Sequence, residues 1–373
     1  MCVFPKHYDY NHNEPPCFPF QKNKDGSWDV HRPNPVFWNR LESHIRRLEE
    51  MGIQCDLILF HPYDRWGFSK LPLEDALVYL DYAIKRLAAF PNLWWSLANE
   101  YDLMGYEEKD WEVIERFVAE HDPWHHLLSC HQILRPWHWE SPFTTHISSQ
   151  TRELDHISVL IRNYQKPMIV DECCYEGNLP QDWGNISGFE LVHRFWTVAV
   201  QGGYCTHGET FLSDDDVIWW AKGGKLKGAS PRRIAFLKSI LESLPGPIRF
   251  GGKDRTDQEL MELQQAMPEP EKGTFAYLMK HLRVDELHVL LDQSREFVGC
   301  VGDEVFIRYY GHTCPGLGTI TLPEEKRYDV EVIDIWEMTR NTALSGVCGR
   351  VQIPLPGREG IALLARVSSE GAP

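Results

Sequence analysis

Two short stretches of this chain end in residues suited to moving protons at an acetal carbon. In Leu93-Trp94-Trp95-Ser96-Leu97-Ala98-Asn99-Glu100 an apolar run stops abruptly at an adjacent amide and carboxylate. In Lys166-Pro167-Met168-Ile169-Val170-Asp171-Glu172 a second short run delivers another glutamate. Such near-continuous apolar runs read as parallel strands buried on both faces, and a (β/α) barrel places its chemistry at the carboxyl ends of its strands. Two carboxyl groups on one rim are the minimum apparatus for hydrolysing a glycosidic bond: one protonates the leaving oxygen, the other attacks the anomeric carbon or activates water. Asp171 rivals Glu172, but side chains alternate along a strand, so only one of the two is expected to face the centre.

An Asn-Glu pair closing one strand, with a Glu closing another three units later, resembles the clan A retaining glycoside hydrolases, in which these residues close strands four and seven of a (β/α)8 barrel. His61-Pro62-Tyr63-Asp64-Arg65-Trp66-Gly67, Ala98-Asn99-Glu100-Tyr101-Asp102 and Asp122-Pro123-Trp124-His125-His126-Leu127 are similar to the bacterial apiosidase-like branch. The resemblance implies Glu100 as general acid/base and Glu172 as nucleophile. A partly apolar pocket near Trp94 or Trp95 would keep the proton on Glu100, and neighbouring donors would keep Glu172 ionised. Asn99 matches the clan residue that binds the hydroxyl next to the anomeric carbon; its structural alternative is a helix N-cap.

On that strand count His61 ends strand three, His131 ends strand five, His146 lies in or at the end of strand six, and Glu209 follows strand eight. Each is a candidate substrate ligand or a setter of carboxylate ionisation, against the plainer role of a satisfied structural side chain. Tyr63 and Asp64 are candidates for sugar recognition. Trp137, Trp139, Trp183 and Trp219 sit in loops that could wall a pocket, with Trp183 the one taken as a binding residue.

The positioning elements alternate. Helices are expected over 36–50, 73–89, 110–121, 154–164, 188–200 and 231–244, and strands over 2–4, 55–60, 93–98, 127–130, 145–149, 168–170 and 203–207, with a long proline-rich loop between Phe4 and Pro35. That is the pattern of a parallel sheet. Seven strands fall one short of a closed barrel, so strand one and its helix are expected upstream of Met1. From about Phe250 alternating runs such as Leu287–Leu291, Glu304–Ile307, Tyr328–Ile333 and Gly360–Leu364, separated by turn residues, predict an antiparallel β-sandwich. The expected domains are therefore a catalytic barrel over 1–248 and a sandwich over 249–373.

Composition narrows the partners. At 373 residues and 43% hydrophobic, with 14 Trp, 14 Tyr and 17 Phe, the chain can fill a large core and still spare flat rings for sugar faces. A formal charge of -16 argues against nucleic acid and anionic membranes and favours a neutral carbohydrate. The ten cysteines include no C-x-x-C pair, no cofactor motif is present, and His121, His125 and His126 make a weak zinc case because Pro123 breaks their helix. No G-x-S-x-G elbow supports a serine hydrolase. No signal peptide or membrane-length apolar run is visible, so the chain as written reads as cytoplasmic, with secretion open if residues precede Met1. Oligomeric state is open, homo-oligomers included. The leading expectation is a retaining glycosidase; the alternative is a relative of the same fold that binds carbohydrate without cleaving it.

Overall fold

The computed structural model describes residues 1–214, 225–252, 256–292 and 297–368. Trp219 lies outside them. The chain divides into two compact units: one comprises Met1–Arg152, Tyr164–Asn185 and Thr206–Lys227, the other Glu153–Asn163, Ile186–Cys205 and Gly228–Pro373.

The first unit opens not on a continuous loop but on a hairpin, β1 (Phe20–Lys22) and β2 (Trp28–Pro33), paired antiparallel. Gly26, at φ 89°, makes its turn, and buried Phe20 and Val30 give it an apolar side too short to stand out among the surrounding polar residues. Helix α1 (Pro35–Glu50) starts where Asn34 caps the Val36 N–H and Pro35 presets the first turn. It is followed by β3 (Cys55–Phe60), α2 (Leu73–Leu87), β4 (Leu93–Ala98), α3 (Glu108–His121), β5 (Leu128–Ser129) and β6 (Ile147–Gln150). Helix α2 buries Ala76, Tyr79, Leu80, Ala83, Ile84 and Leu87, the three-and-four spacing that turns one stripe inward.

Strands β3, β4 and β5 are parallel neighbours in that order, β6 pairs in parallel with β7 (Met168–Glu172), and β8 (Glu176–Gly177) pairs in parallel with β10 (Glu209–Thr210). Cys2 bridges Ile58 in parallel, and the Thr145 N–H donates to Leu128 O, which brings the entry of β6 beside β5. Strand ends that share direction and adjacency put Phe60, Ala98 and Glu172 on one rim. The register of β7 slips opposite β6: Ser149 faces Val170, and Gln150 faces Glu172, so Asp171 is an extra, bulged residue. The alternation expected at Asp171-Glu172 is thereby broken. Asp171 accepts from Ser148 Oγ on the neighbouring strand, and burial, reinforced by the charge of Asp56, pushes its carboxyl up to about 8.

In the second unit, α4 (Ile157–Tyr164), α5 (Gly188–Val200), the short β9 (Tyr204–Cys205) and α6 (Ser230–Glu242) precede a six-stranded antiparallel sheet with β11 (Arg249–Phe250), β12 (Phe297–Val301), β13 (Val305–Tyr309), β18 (Ile361–Val367), β15 (Tyr328–Asp334) and β16 (Thr339–Val347) in that lateral order. A separate hairpin, β14 (Leu317–Leu322) with β17 (Gly349–Pro354), shares one apolar core with the sheet through Ile320, Leu322, Val330, Ile353, Leu363 and their neighbours. The opposite face meets α5, where Trp196 packs on Tyr309 and His193 Nδ1 lies 2.9 Å from the Tyr309 hydroxyl. Three helices, α7 (Asp257–Ala266), α8 (Phe275–His281) and α9 (Val284–Asp292), interrupt the sheet's sequence. Leu287–Leu291, expected as a strand, lies in α9: a five-residue run with four apolar residues has no decisive period, and Glu286 capping the Arg283 N–H starts a helix. Among the described residues no helix is long and apolar enough to cross a membrane.

Candidate active site

The rim of the first unit encloses a cavity of about 1050 Å³, at the upper end of the range for small-molecule sites. Asn99, Glu100 and Glu172 line it, with Lys6, Tyr63, Gln150, Tyr175 and Trp183. Glu100 follows β4 directly and holds a left-handed backbone, φ 51° and ψ 56°, which a non-glycine residue adopts only when its surroundings dictate it. The surroundings are the neighbouring strand ends: the Asn99 N–H donates to Phe60 O, and the Tyr101 N–H donates to His131 O, both at 3.0 Å. Pinned on both sides, the backbone turns sharply and buries the Glu100 side chain at the cavity wall, 5% exposed.

One oxygen of Glu100, Oε2, accepts from the Tyr63 hydroxyl and, at 3.2 Å, from Asn99 Nδ2. Burial raises the Glu100 carboxyl above its ordinary range, and the Tyr63 hydrogen bond and Lys6 ammonium pull the other way. Glu172 closes β7 with its cavity side open. Enclosure by protein, and secondarily the charge of Glu100, lift it to about 7 against one hydrogen bond from Tyr175. Glu172 is therefore not the donor-rich carboxylate expected from the sequence. The charge of Glu100 thus bears on the ionisation of Glu172 across one cavity.

The other expected residues divide. Tyr63, Asn99 and Trp183 line the cavity, as does Asp64, but the Asp64 carboxylate is occupied by the N–H groups of Trp66, Gly67 and Ser69 and organises its own loop. His61, His131, His146 and Glu209 do not line it. His61 Nε2 donates to Phe4 O at 3.0 Å. His146 Nδ1 contacts Thr145 Oγ1, with the ring edge-on to Trp94. Burial holds His61, His131 and His146 down at about 4, neutral near pH 7. Glu209 is fully buried and accepts the Lys227 N–H. Neither Trp94 nor Trp95 makes the pocket of Glu100; Trp95 Nε1 donates to Asp122 on the other side of the strand. Trp137 donates to Thr144, and Trp139 is buried away from the cavity.

Lys6, Gln150 and Tyr175 were not singled out from sequence. Each follows the strand-end rule: Gln150 ends β6 opposite Glu172, Tyr175 comes three residues after β7, and Lys6 comes just after the Cys2 bridge. The zinc alternative finds no support in geometry, since His126 Nδ1 faces Asp122 Oδ2 and its Nε2 faces Phe90 O, while His121 Nδ1 faces Phe117 O. Among the described residues no group of His, Cys, Asp and Glu is arranged to hold a metal.

Comparison with known structures gives the class. A proposed glycoside hydrolase from Bacteroides vulgatus ATCC 8482 superposes with a TM-score of 0.81 at 31% identity, covering 99% of this chain and 72% of its own. A glycoside hydrolase family 5 protein from the same organism follows at TM-score 0.63 and 13% identity, covering 94% and 80%. A GH30 endoxylanase from Clostridium papyrosolvens C71 follows at 0.51 and 9%, covering 90% and 85%. At those lower identities the likeness is one of fold. The protein is a glycoside hydrolase. Residues 6–244 match the apiosidase-like catalytic domain, and the chain belongs to that family. Residues 295–366 match a domain of unknown function (DUF5605). No curated protein matches the chain.

Proposed function

We propose that the chain is a clan A retaining glycosidase acting on a neutral sugar, with Glu100 as acid/base and Glu172 as nucleophile. The observation that carries the proposal is that two acids from β4 and β7 line one cavity, with the ionisation of one felt by the other. In the first step the Glu172 carboxylate attacks the anomeric carbon, the bond to the leaving oxygen breaks, and Glu100 delivers its proton to that oxygen. In the second, Glu100 takes a proton from water, the resulting nucleophile displaces Glu172, and the sugar is released with its original anomeric configuration. Asn99 is placed to bind the sugar beside the reacting carbon, and Trp183 to pack on its face. The architecture behind this reading is a (β/α)-barrel-type first unit and a sandwich-like second unit.

A second reading exchanges the roles. Glu100 has three side-chain partners in Tyr63, Asn99 and Gln150, whereas Glu172 is lifted to about 7, which favours the proton on Glu172 before substrate arrives. A 2-deoxy-2-fluoro glycoside with a good leaving group decides, because it stalls on the nucleophile. The expected adduct is on Glu172. An adduct on Glu100 exchanges the roles, and inverted product with no adduct overturns double displacement.

A further inference from the structure

We propose that Lys6 is a positioning residue that holds the cavity's acid pair in its singly ionised state near neutral pH. The proposal rests on the Glu100 and Glu172 pairing above. Lys6 is fixed from both sides. Phe4 is buried and stacks on Phe68 with ring centroids 4.7 Å apart, and its carbonyl accepts from His61; the His7 N–H donates to Tyr63 O at 2.9 Å. Between these anchors the Lys6 side chain lines the cavity, its ammonium 5.4 Å from the centre of the Tyr63 ring. The hydroxyl of that same ring bonds Glu100.

The other charged groups around the pair, Asp9 apart, are already committed or neutral. Asp64 and Asp102 each accept three backbone N–H groups, and Arg152 is paired with Asp182 at 2.7 Å. His61 and His131 are neutral near pH 7, His7 and His12 face each other through ring nitrogens at 3.2 Å, and Asp171, raised to about 8, is largely protonated there. Burial keeps Tyr63 and Tyr175 protonated. Asp9 lines the cavity on the same segment as Lys6. Lys6 makes no ion pair among the described residues, so its charge is available to the acids across the cavity. Consistent with this, Lys6 draws both Glu100 and Glu172 downward, opposing burial. Without that cation, burial would push the pair toward double protonation, leaving no carboxylate to attack.

The test is a carboxyl 13C NMR titration of the glutamate-labelled full chain without substrate, comparing wild type, Lys6→Met and Lys6→Arg, with Glu172→Gln to assign the Glu172 signal. Circular dichroism at each pH confirms that the variants are folded. Lys6→Met is expected to raise both midpoints by about one pH unit, the size expected for one charge in a partly buried site. The acid limb of kcat/KM on a neutral aryl glycoside should move with them, and Lys6→Arg should restore both. Unmoved midpoints in folded Lys6→Met overturn the proposal. So does a loss confined to carboxylate-bearing saccharides, which would make Lys6 a substrate anchor. Failure of the underlying reading is separate: Glu172→Gln would then turn over like wild type, whatever the titration shows.

Discussion

Two buried acids, one ahead of β5 and one closing β7, behave in opposite ways. Asp122 lies in the turn leading into β5, 2% exposed, and accepts from Trp95 Nε1, the Trp124 N–H and the His126 N–H, with His126 Nδ1 at 2.8 Å as well. Burial favours its neutral form, yet those donors win and the carboxyl falls below its ordinary range. Glu172, at the carboxyl end of β7, has Tyr175 against it and Glu100 nearby, and rises to about 7. Burial is common to both; the number of donors decides the sign. At the amino ends a carboxylate is spent on holding a turn. At the end of β7 donors are withheld from Glu172, and a carboxyl free to change its protonation is what general acid/base and nucleophilic chemistry needs.

The largest effect expected from breaking this contrast is on turnover. Glu172→Gln keeps the shape and removes the nucleophile, so kcat should fall by about 10⁴-fold or more with the fold intact by circular dichroism. Turnover within tenfold of wild type would remove Glu172 from the chemistry.

Stability should separate the same two residues with opposite signs. Asp122→Ala strands several buried donors and should cost about 3 kcal/mol at pH 7 in urea unfolding. Because the folded Asp122 is depressed, its stabilisation is present above the ordinary aspartate range and is lost as pH falls through the folded value, so the gap to wild type should narrow in acid. For Glu172 the folded carboxyl is raised from 4.5 to about 7. The folded state then binds a proton that the unfolded state releases, so wild-type stability falls between those values and levels off above them. Glu172→Gln should match wild type near pH 4 and exceed it above pH 7 by about 2 kcal/mol, after discounting for solvent on the cavity side. A destabilised Glu172→Gln at pH 8 would contradict the withheld-donor account.

The contrast also explains what the sequence could reveal. Strand-end position pointed to Glu100, Glu172, Asn99 and Tyr63, and a loop aromatic to Trp183, all of which line the cavity. The same rule pointed to His61 and His131, which sit one place too deep: His61 turns toward Phe4 O, and His131 offers its backbone carbonyl to Tyr101. Which way a side chain leaves a strand end depends on contacts with distant segments, and local pattern carries no trace of them. The Tyr10 hydroxyl bonds Gln181 across 171 positions, a pairing no spacing argument reaches. The bulge at Asp171 has the same origin, since register is a property of two strands. In the second unit the alternating runs of β13, β15 and β18 are readable, whereas α9 is not, because four apolar residues in a run of five fit either period.

A sharper probe of the withheld-donor idea is Tyr63. Its hydroxyl is one of the few donors to Glu100, so Tyr63→Phe should raise the Glu100 carboxyl further. A hydrogen bond to a charged group is worth about 1.5–3 kcal/mol, which corresponds to a 10- to 100-fold fall in kcat/KM if the bond is kept in the transition state. The pH profile distinguishes the mechanism: loss of positioning alone lowers the curve, whereas loss of the donor also moves its Glu100 limb to higher pH.

The smallest expected effect is at Trp183, and it tests whether wall and chemistry can be separated. Trp183 lines the cavity, stands edge-on to Tyr175 at 6.1 Å, and takes the Tyr175 N–H on its carbonyl. Tyr175 in turn bonds Glu172. If Trp183 serves as a platform for a sugar face, Trp183→Ala should raise KM about three- to tenfold and leave kcat within about twofold, the scale of one aromatic contact. Trp183→Phe should recover most of the loss. A fall in kcat at unchanged KM would mean that the ring acts by seating Tyr175 against Glu172. The donor count at Glu172 would then be under the control of the cavity wall, and substrate binding on that wall would itself adjust the acid that the contrast with Asp122 identifies.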